Sequence, residues 1–256
     1  MDESLPKVNI DKDGPVLFHH NDWVNNRKEI TSRYLNLIRK STKSIHLVHG
    51  YFFPSFRIIN NLINKARQGV KVVLILPKYS DWQSWVWATE YLYSKLIKNG
   101  IEIYEWQPSE LHGKLAIFDE EIFLVGSYNL NYTSSYGNLE MNVEIASKDF
   151  VQKVMKDEMS YILNSSAKLN LETLSKWGWV SRLRNIFYYL VLLILSTFSI
   201  NWIKVSRHVK NMTITEKLIF FLLVIVGLLG VILPVIPGTP FLLAAMVLMM
   251  KKRDDY

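Results

Sequence analysis

The stretch Leu111–Asn129, LHGKLAIFDEEIFLVGSYN, constrains this chain more than any other. Two apolar runs, LAIF and IFLVG, flank an acidic turn at Asp119, Glu120 and Glu121, which is the pattern of a β-hairpin. Residues two apart in a strand share a face, so His112 falls beside Lys114 on the first strand and Ser127 beside Asn129 on the second. Pairing through the turn then brings an imidazole, an ammonium, a hydroxyl and an amide to one small polar patch.

That set suits a phosphodiester. An imidazole can attack phosphorus or move a proton near neutral pH, while an ammonium and neutral donors hold the non-bridging oxygens as charge develops on them. The chemistry calls for no metal and no cofactor. For any one of these residues alone, a solvated surface hairpin explains the sequence as well; the whole set at fixed offsets is harder to explain that way. The spacing His-x-Lys-x4-Asp followed by Gly-Ser-x-Asn resembles the HKD signature of the phospholipase D superfamily, and it is met without a gap. The resemblance implies that His112 is the nucleophile, that Lys114 and Asn129 bind phosphate, and that Asp119, though part of the signature, is chiefly structural. It implies a substrate-binding part for Ser127. It also implies that Glu140, in the downstream NLEMNVEI with Asn138 at its start, is the carboxylate that orients the imidazole.

The rest of residues 1–175 alternates strands with helices of about a dozen residues, as an α/β sheet does. Val16–Phe18 is expected as a short strand. Asn25 or Asn26 is expected to cap a helix to about Lys40, with Ile30, Tyr34, Leu37 and Ile38 inward. Strands are expected at Ser44–His49, Val70–Leu76, Ile101–Glu105 and Leu139–Ile145. Helices are expected over Phe56–Arg67, with Ile59, Leu62, Ile63 and Ala66 inward and Gly69 as its stop; from Asp81 to Asn99-Gly100; and over Lys148–Leu163. This stretch is similar to the C-terminal half of the cardiolipin synthases over about residues 15–160, on SIHLVHGYFFPSFRIINNLINKARQGVKVVLILPKYSDW, KNGIEIYEW, the hairpin and NLEMN. That resemblance implies a phospholipase D-like mixed sheet flanked by helices, acting on phospholipid head groups, with Tyr51, Phe52 and Pro54 near the site. Core packing is the alternative for Tyr51 and Phe52.

One departure matters. The superfamily's full site takes two HKD motifs, and this sequence has one: His19, His20, His46, His49 and His208 all lack a Lys two residues on. The expected arrangement is a homodimer in which two copies of His112 face each other across a twofold axis. The alternatives are a second protein that supplies the other half, or an incomplete site.

Charge separates the two ends of the chain. Residues 1–175 hold 20 Lys and Arg against 20 Asp and Glu, so the formal +7 sits in residues 176–256, with 10 against 3. A nucleic-acid partner is not expected, since backbone binders carry their basic footprint on the binding domain itself. The tail instead pairs basic residues with uncharged runs at 186–203 and 218–236, each near the roughly 20 residues that span hydrocarbon. GVILPVIPGTPFLLAA is similar to a motif of small bacterial inner-membrane proteins of unassigned function, and its prolines suggest a short helical hairpin. The organisation expected is a stub at 1–14, a catalytic domain at 15–165, a basic and aromatic linker at 166–185, a membrane-associated helical region at 186–250 and a charged end at 251–256. With no apolar leader in the first 15 residues, the location expected is the inner membrane with the catalytic domain in the cytoplasm. The basic loop at Lys204, Arg207, Lys210 and Lys217 conflicts with one span after a cytoplasmic domain, a conflict that an in-plane first segment removes. Trp82, Trp85 and Trp87 read either as a lipid-facing rim or as core packing. Two other functions stay open at this point: a single-HKD nuclease and a non-catalytic lipid-binding subunit. The absence of cysteine excludes disulfides and thiolate metal sites.

Overall fold

The computed structural model describes residues 16–210, 212–232 and 244. Strand β1 (Val16–Asp22) turns into the short β2 (Arg27–Lys28), followed by α1 (Glu29–Lys40), β3 (Ser44–His49), α2 (Phe56–Arg67), β4 (Lys71–Pro77), α3 (Gln83–Lys98) and β5 (Glu102–Trp106). The hairpin comes next as β6 (Lys114–Phe118) and β7 (Ile122–Gly126), then α4 (Tyr132–Tyr136) and β8 (Leu139–Ala146). A helix of two parts, α5 (Lys148–Val154) and α6 (Ser160–Asn164), is joined by a π-helical turn at Met155–Met159. Strand β9 (Ser166–Leu169) and helices α7 (Leu171–Ser175), α8 (Trp179–Lys210) and α9 (Ile214–Ile232) complete the described chain. It divides into two units, residues 1–197 and 198–256.

The sheet is mixed, in the order β2-β1-β8-β7-β6-β3-β4-β5-β9. Strands β3, β4 and β5 run parallel through the crossover helices α2 and α3, and all other pairs are antiparallel. Every residue of β3 and all of β4 after Lys71 are buried, as a strand covered on both faces requires. One face packs against α1, α2 and α3 through a core that includes Tyr34, Leu62, Leu74 and Leu96. The other packs against α5 around Val73, Ile75, Ile117 and Phe150. Side chains as fully buried as Leu62 and Leu74 each stabilise the fold by about 2 kcal/mol.

The α/β expectation holds, and Ile30, Tyr34, Leu37 and Ile38 line the buried face of α1 as their spacing predicts. Several details differ. Neither Asn25 nor Asn26 caps α1. Asn26 sits in the β1–β2 turn at φ 56°, a conformation its short amide tolerates, and the backbone N–H of Ile30 donates instead to Asn21 on β1 at 3.0 Å. Helix α2 turns Ile58 inward along with Ile59, Leu62 and Ile63, while Ala66 is only partly covered. Within the stretch 166–185, expected as a linker, β9, α7 and the start of α8 form. Residues Ser166–Leu169 pair antiparallel with β5 and close that edge of the sheet, because edge strand β5 offers unpaired backbone groups that a short extended segment can satisfy.

Helix α8 is long and apolar enough over Trp179–Phe198 to cross a membrane by length and composition. Its first half nevertheless packs on the domain through Asn185, Tyr189 and Leu192. The segment 233–243 and residues 245–256, which include the expected proline-broken hairpin, lie outside the described residues.

Candidate active site

The site forms where several strands end on the same rim of the sheet. Strand β6 starts at Lys114, β7 ends at Gly126 and β8 starts at Leu139, while β3, β4 and β5 reach that rim with their carboxyl ends. Open α/β sheets place their ligands in this position, because the side chains of several strand ends converge there on solvent.

Two glycines set the local backbone. A Cβ on Gly50 would overlap the carbonyl oxygen of Leu111, and the Gly50 N–H donates to the Gly113 carbonyl at 3.0 Å, so the chain bearing His112 lies flat against the end of β3. At Gly126, a Cβ would overlap Met141 and Asn142, so only glycine lets β7 approach β8 where Ser127 turns into the site.

His112 is exposed and its Nδ1 faces the Lys114 Nζ at 3.1 Å. Lys114 also donates to the His112 carbonyl at 2.7 Å. Nε2 of the imidazole makes no hydrogen bond among the described residues. Lys114 is buried, and burial lowers its pKa, while the carboxylate of Glu140 acts in the opposite direction. The ring of Tyr51 stands edge-on to His112 with centroids 5.9 Å apart, and its hydroxyl donates to Asp81. That hydrogen bond is the largest of the effects that hold the exposed Asp81 carboxylate below its ordinary range. Ser127 donates to Glu140, which also accepts from Asn138 at 3.1 Å. Asn129 and Asn138 line a cavity of about 280 Å³ together with Tyr51, Trp82 and Trp85. The Asn129 Oδ1 is buried without a protein partner among the described residues.

His112, Lys114, Ser127, Asn129, Asn138, Glu140 and Tyr51 thus meet on one rim. Asp119 does not. It sits at the far end of β6, about 17 Å along the strand from Lys114, in a turn where it and Glu120 have φ of 55° and 58°. Its carboxylate accepts from the backbone N–H groups of Thr42, Lys43 and Ser44 at 3.0, 2.7 and 3.0 Å. Burial pushes its pKa up, but these bonds outweigh that and hold it below the ordinary value. The expectation for Glu140 shifts as well: its hydrogen bonds go to Ser127 and Asn138, and Lys114 rather than Glu140 is the partner of the imidazole. Asp81, expected only at the start of a helix, accepts from the Trp82 N–H at 2.9 Å and also reaches the site through Tyr51. Gly50 and Asp81 carry no spacing signal; the one clue to either is that each follows the carboxyl end of a parallel strand.

Residues 34–160 match the family model described as the PLD-like domain of cardiolipin synthase. Cardiolipin synthase B of Salmonella typhi is 31% identical over 164 residues, which is 64% of this chain and 40% of that protein. The chain therefore spans about two fifths of the length of the curated relatives it matches. Among solved structures, the phospholipase D family member Nuc from Salmonella typhimurium aligns with a TM-score of 0.52 at 17% identity, over 61% of this chain and 98% of that one. Phosphatidylserine synthase from Haemophilus influenzae Rd KW20 aligns with a TM-score of 0.56 at 13% identity, over 72% and 47%.

Proposed function

From a chain whose residues 34–160 are a phospholipase D-like domain, we propose a membrane-associated phosphodiesterase or phosphatidyltransferase that acts on phospholipid head groups through a phosphohistidine. The observation that carries the reading is the convergence of His112, Lys114 and Asn129 beside a cavity rimmed by Tyr51, Trp82 and Trp85. With the Lys114 ammonium turned from the ring to the phosphate and the ring proton on Nδ1, His112 Nε2 attacks phosphorus; a P–N bond forms as the P–O bond to the head-group alcohol breaks. Lys114 and the Asn129 amide hold the non-bridging oxygens as charge gathers on them. The departing alkoxide takes a proton from a second imidazole. That imidazole then accepts a proton from water or an acceptor alcohol, whose oxygen attacks phosphorus and breaks the P–N bond.

The second imidazole is assigned to His112 of another copy. Supporting this is an apolar patch on the strands that carry the site: Leu139 and Met141 of β8, Val125 of β7 and Phe18 of β1 are all exposed. Leu139 and Met141 flank Glu140 directly. A twofold axis through that patch would bury it and bring two sites together. The membrane association assigned here draws on the basic, apolar tail, with the catalytic domain on the cytoplasmic face.

The test is direct. Full-length protein in detergent with phosphatidylglycerol labelled separately in the head-group glycerol and in the acyl chains should release labelled glycerol and trap the acyl label on histidine, and His112→Ala should abolish both. Equal turnover by that variant, or turnover of DNA with none of lipid, would refute the reading.

A further inference from the structure

Helix α8 has two faces of opposite character. Asn185, Tyr189 and Leu192 are buried, and Asn185 donates to Glu90 of α3 at 2.9 Å. Arg184 pairs with Glu90 at 3.2 Å and lies over the Trp87 ring at 4.4 Å. On the opposite side, Trp179, Leu183, Phe187, Leu190 and Ile194 are exposed at intervals of three and four residues, one continuous helical stripe. A helix fastened to its domain along residues 184–192 cannot cross a bilayer there without dragging Glu90 and the polar surface around it into hydrocarbon. The same stripe is too long and too apolar to be left to water.

We propose that α8 is an in-plane membrane anchor, its outer stripe lying along the bilayer interface while its packed face holds the domain, and with it the site, at a fixed height over the lipid head groups. The occupant of the stripe is identified as a bilayer by the chemistry of the segment that carries it. The exposed cation Arg182 lies on the same helix, and the formal +7 of the chain sits in residues 176–256, a charge suited to anionic head groups. The chain also runs on into α9, where Leu218, Phe221 and Leu222 are exposed on a helix about 28 Å long. A chain of aromatic rings ties the anchor to the chemistry. Tyr189 of α8 packs on Phe53 at 5.5 Å, Phe53 on Trp85 at 6.2 Å, Trp85 on Tyr51 at 5.8 Å and Tyr51 on His112 at 5.9 Å. The anchor thus presents the nucleophile to the surface where phospholipid is found, and the inference rests on the phospholipid reading of the site in that one respect.

The chain contains no cysteine, so single-cysteine variants report cleanly. Leu183→Cys, Phe187→Cys, Leu190→Cys and Ile194→Cys, each carrying a fluorescent or spin label in the full-length protein, would be bound to vesicles of phosphatidylglycerol and phosphatidylethanolamine. Depth-dependent quenching should place all four at one level, about 5–10 Å into the interface, with a Gln152→Cys label on α5 left in water. A spanning helix would instead spread them over about 16 Å of depth, and that gradient would overturn the proposal. Labels untouched by lipid but coupled to those of a second copy would overturn it too. Depth is read without turnover, so a protein that docks flat yet leaves lipid unhydrolysed would sink the functional reading alone.

Discussion

Lys114 opens the five-residue strand β6 and Asp119 follows its last residue, and their environments assign them different work. Asp119 binds three backbone N–H groups ahead of β3 and fixes the hairpin to its neighbour. Because its folded-state pKa is depressed, the stability it contributes is complete above the ordinary aspartate range and is lost as pH falls through the folded value. Asp119→Ala should therefore cost about 2 kcal/mol at neutral pH in a denaturant titration, with the difference from wild type shrinking below about pH 4. At saturating lipid, the folded variant should keep most of its turnover, which a catalytic aspartate would not. Gly50 offers the converse case. A methyl group at Gly50 must displace the Leu111 carbonyl and with it His112, so Gly50→Ala should lower kcat about a hundredfold while far-ultraviolet circular dichroism stays unchanged.

At the scale of elements, the hairpin β6–β7 was legible because its alternation, turn and polar offsets all point to one conformation. The strand β9 was not, since SAKL is four residues with no periodicity, and it becomes a strand only where β5 leaves an edge open. Helix α1 shows the same division: its inward face followed from spacing, but its start is set by Asn21, an asparagine on a neighbouring strand. Packing between layers is where most stability lies. Leu74→Ala, deep in β4, should destabilise by about 3 kcal/mol, read as a lower denaturation midpoint at unchanged m-value.

For the whole molecule, one HKD motif leaves the proposed reaction short of a proton donor until a second site arrives. Specific activity per chain should therefore fall on dilution in parallel with the loss of dimer seen by sedimentation. Met141→Asp, placing a charge in the exposed patch beside Glu140, should weaken pairing and activity together. An unchanged specific activity in a strictly monomeric preparation would remove the twofold arrangement. The proposed membrane attachment operates at the same scale, since the faces of α8 are distinguished only by what the domain covers.

The sequence by itself determined the α/β alternation, the hairpin and the set of groups able to meet a phosphate, because periodicity and fixed offsets are local properties that neighbouring residues impose on one another. Tertiary structure alone decided which of those groups meet. It separated Asp119 from the site by the length of a strand, brought Tyr51 and Asp81 to His112 through the ends of parallel strands, and turned an apolar tail segment into a helix with one packed and one open face. These outcomes depend on contacts between residues tens of positions apart, and such contacts leave no pattern in any one stretch of chain.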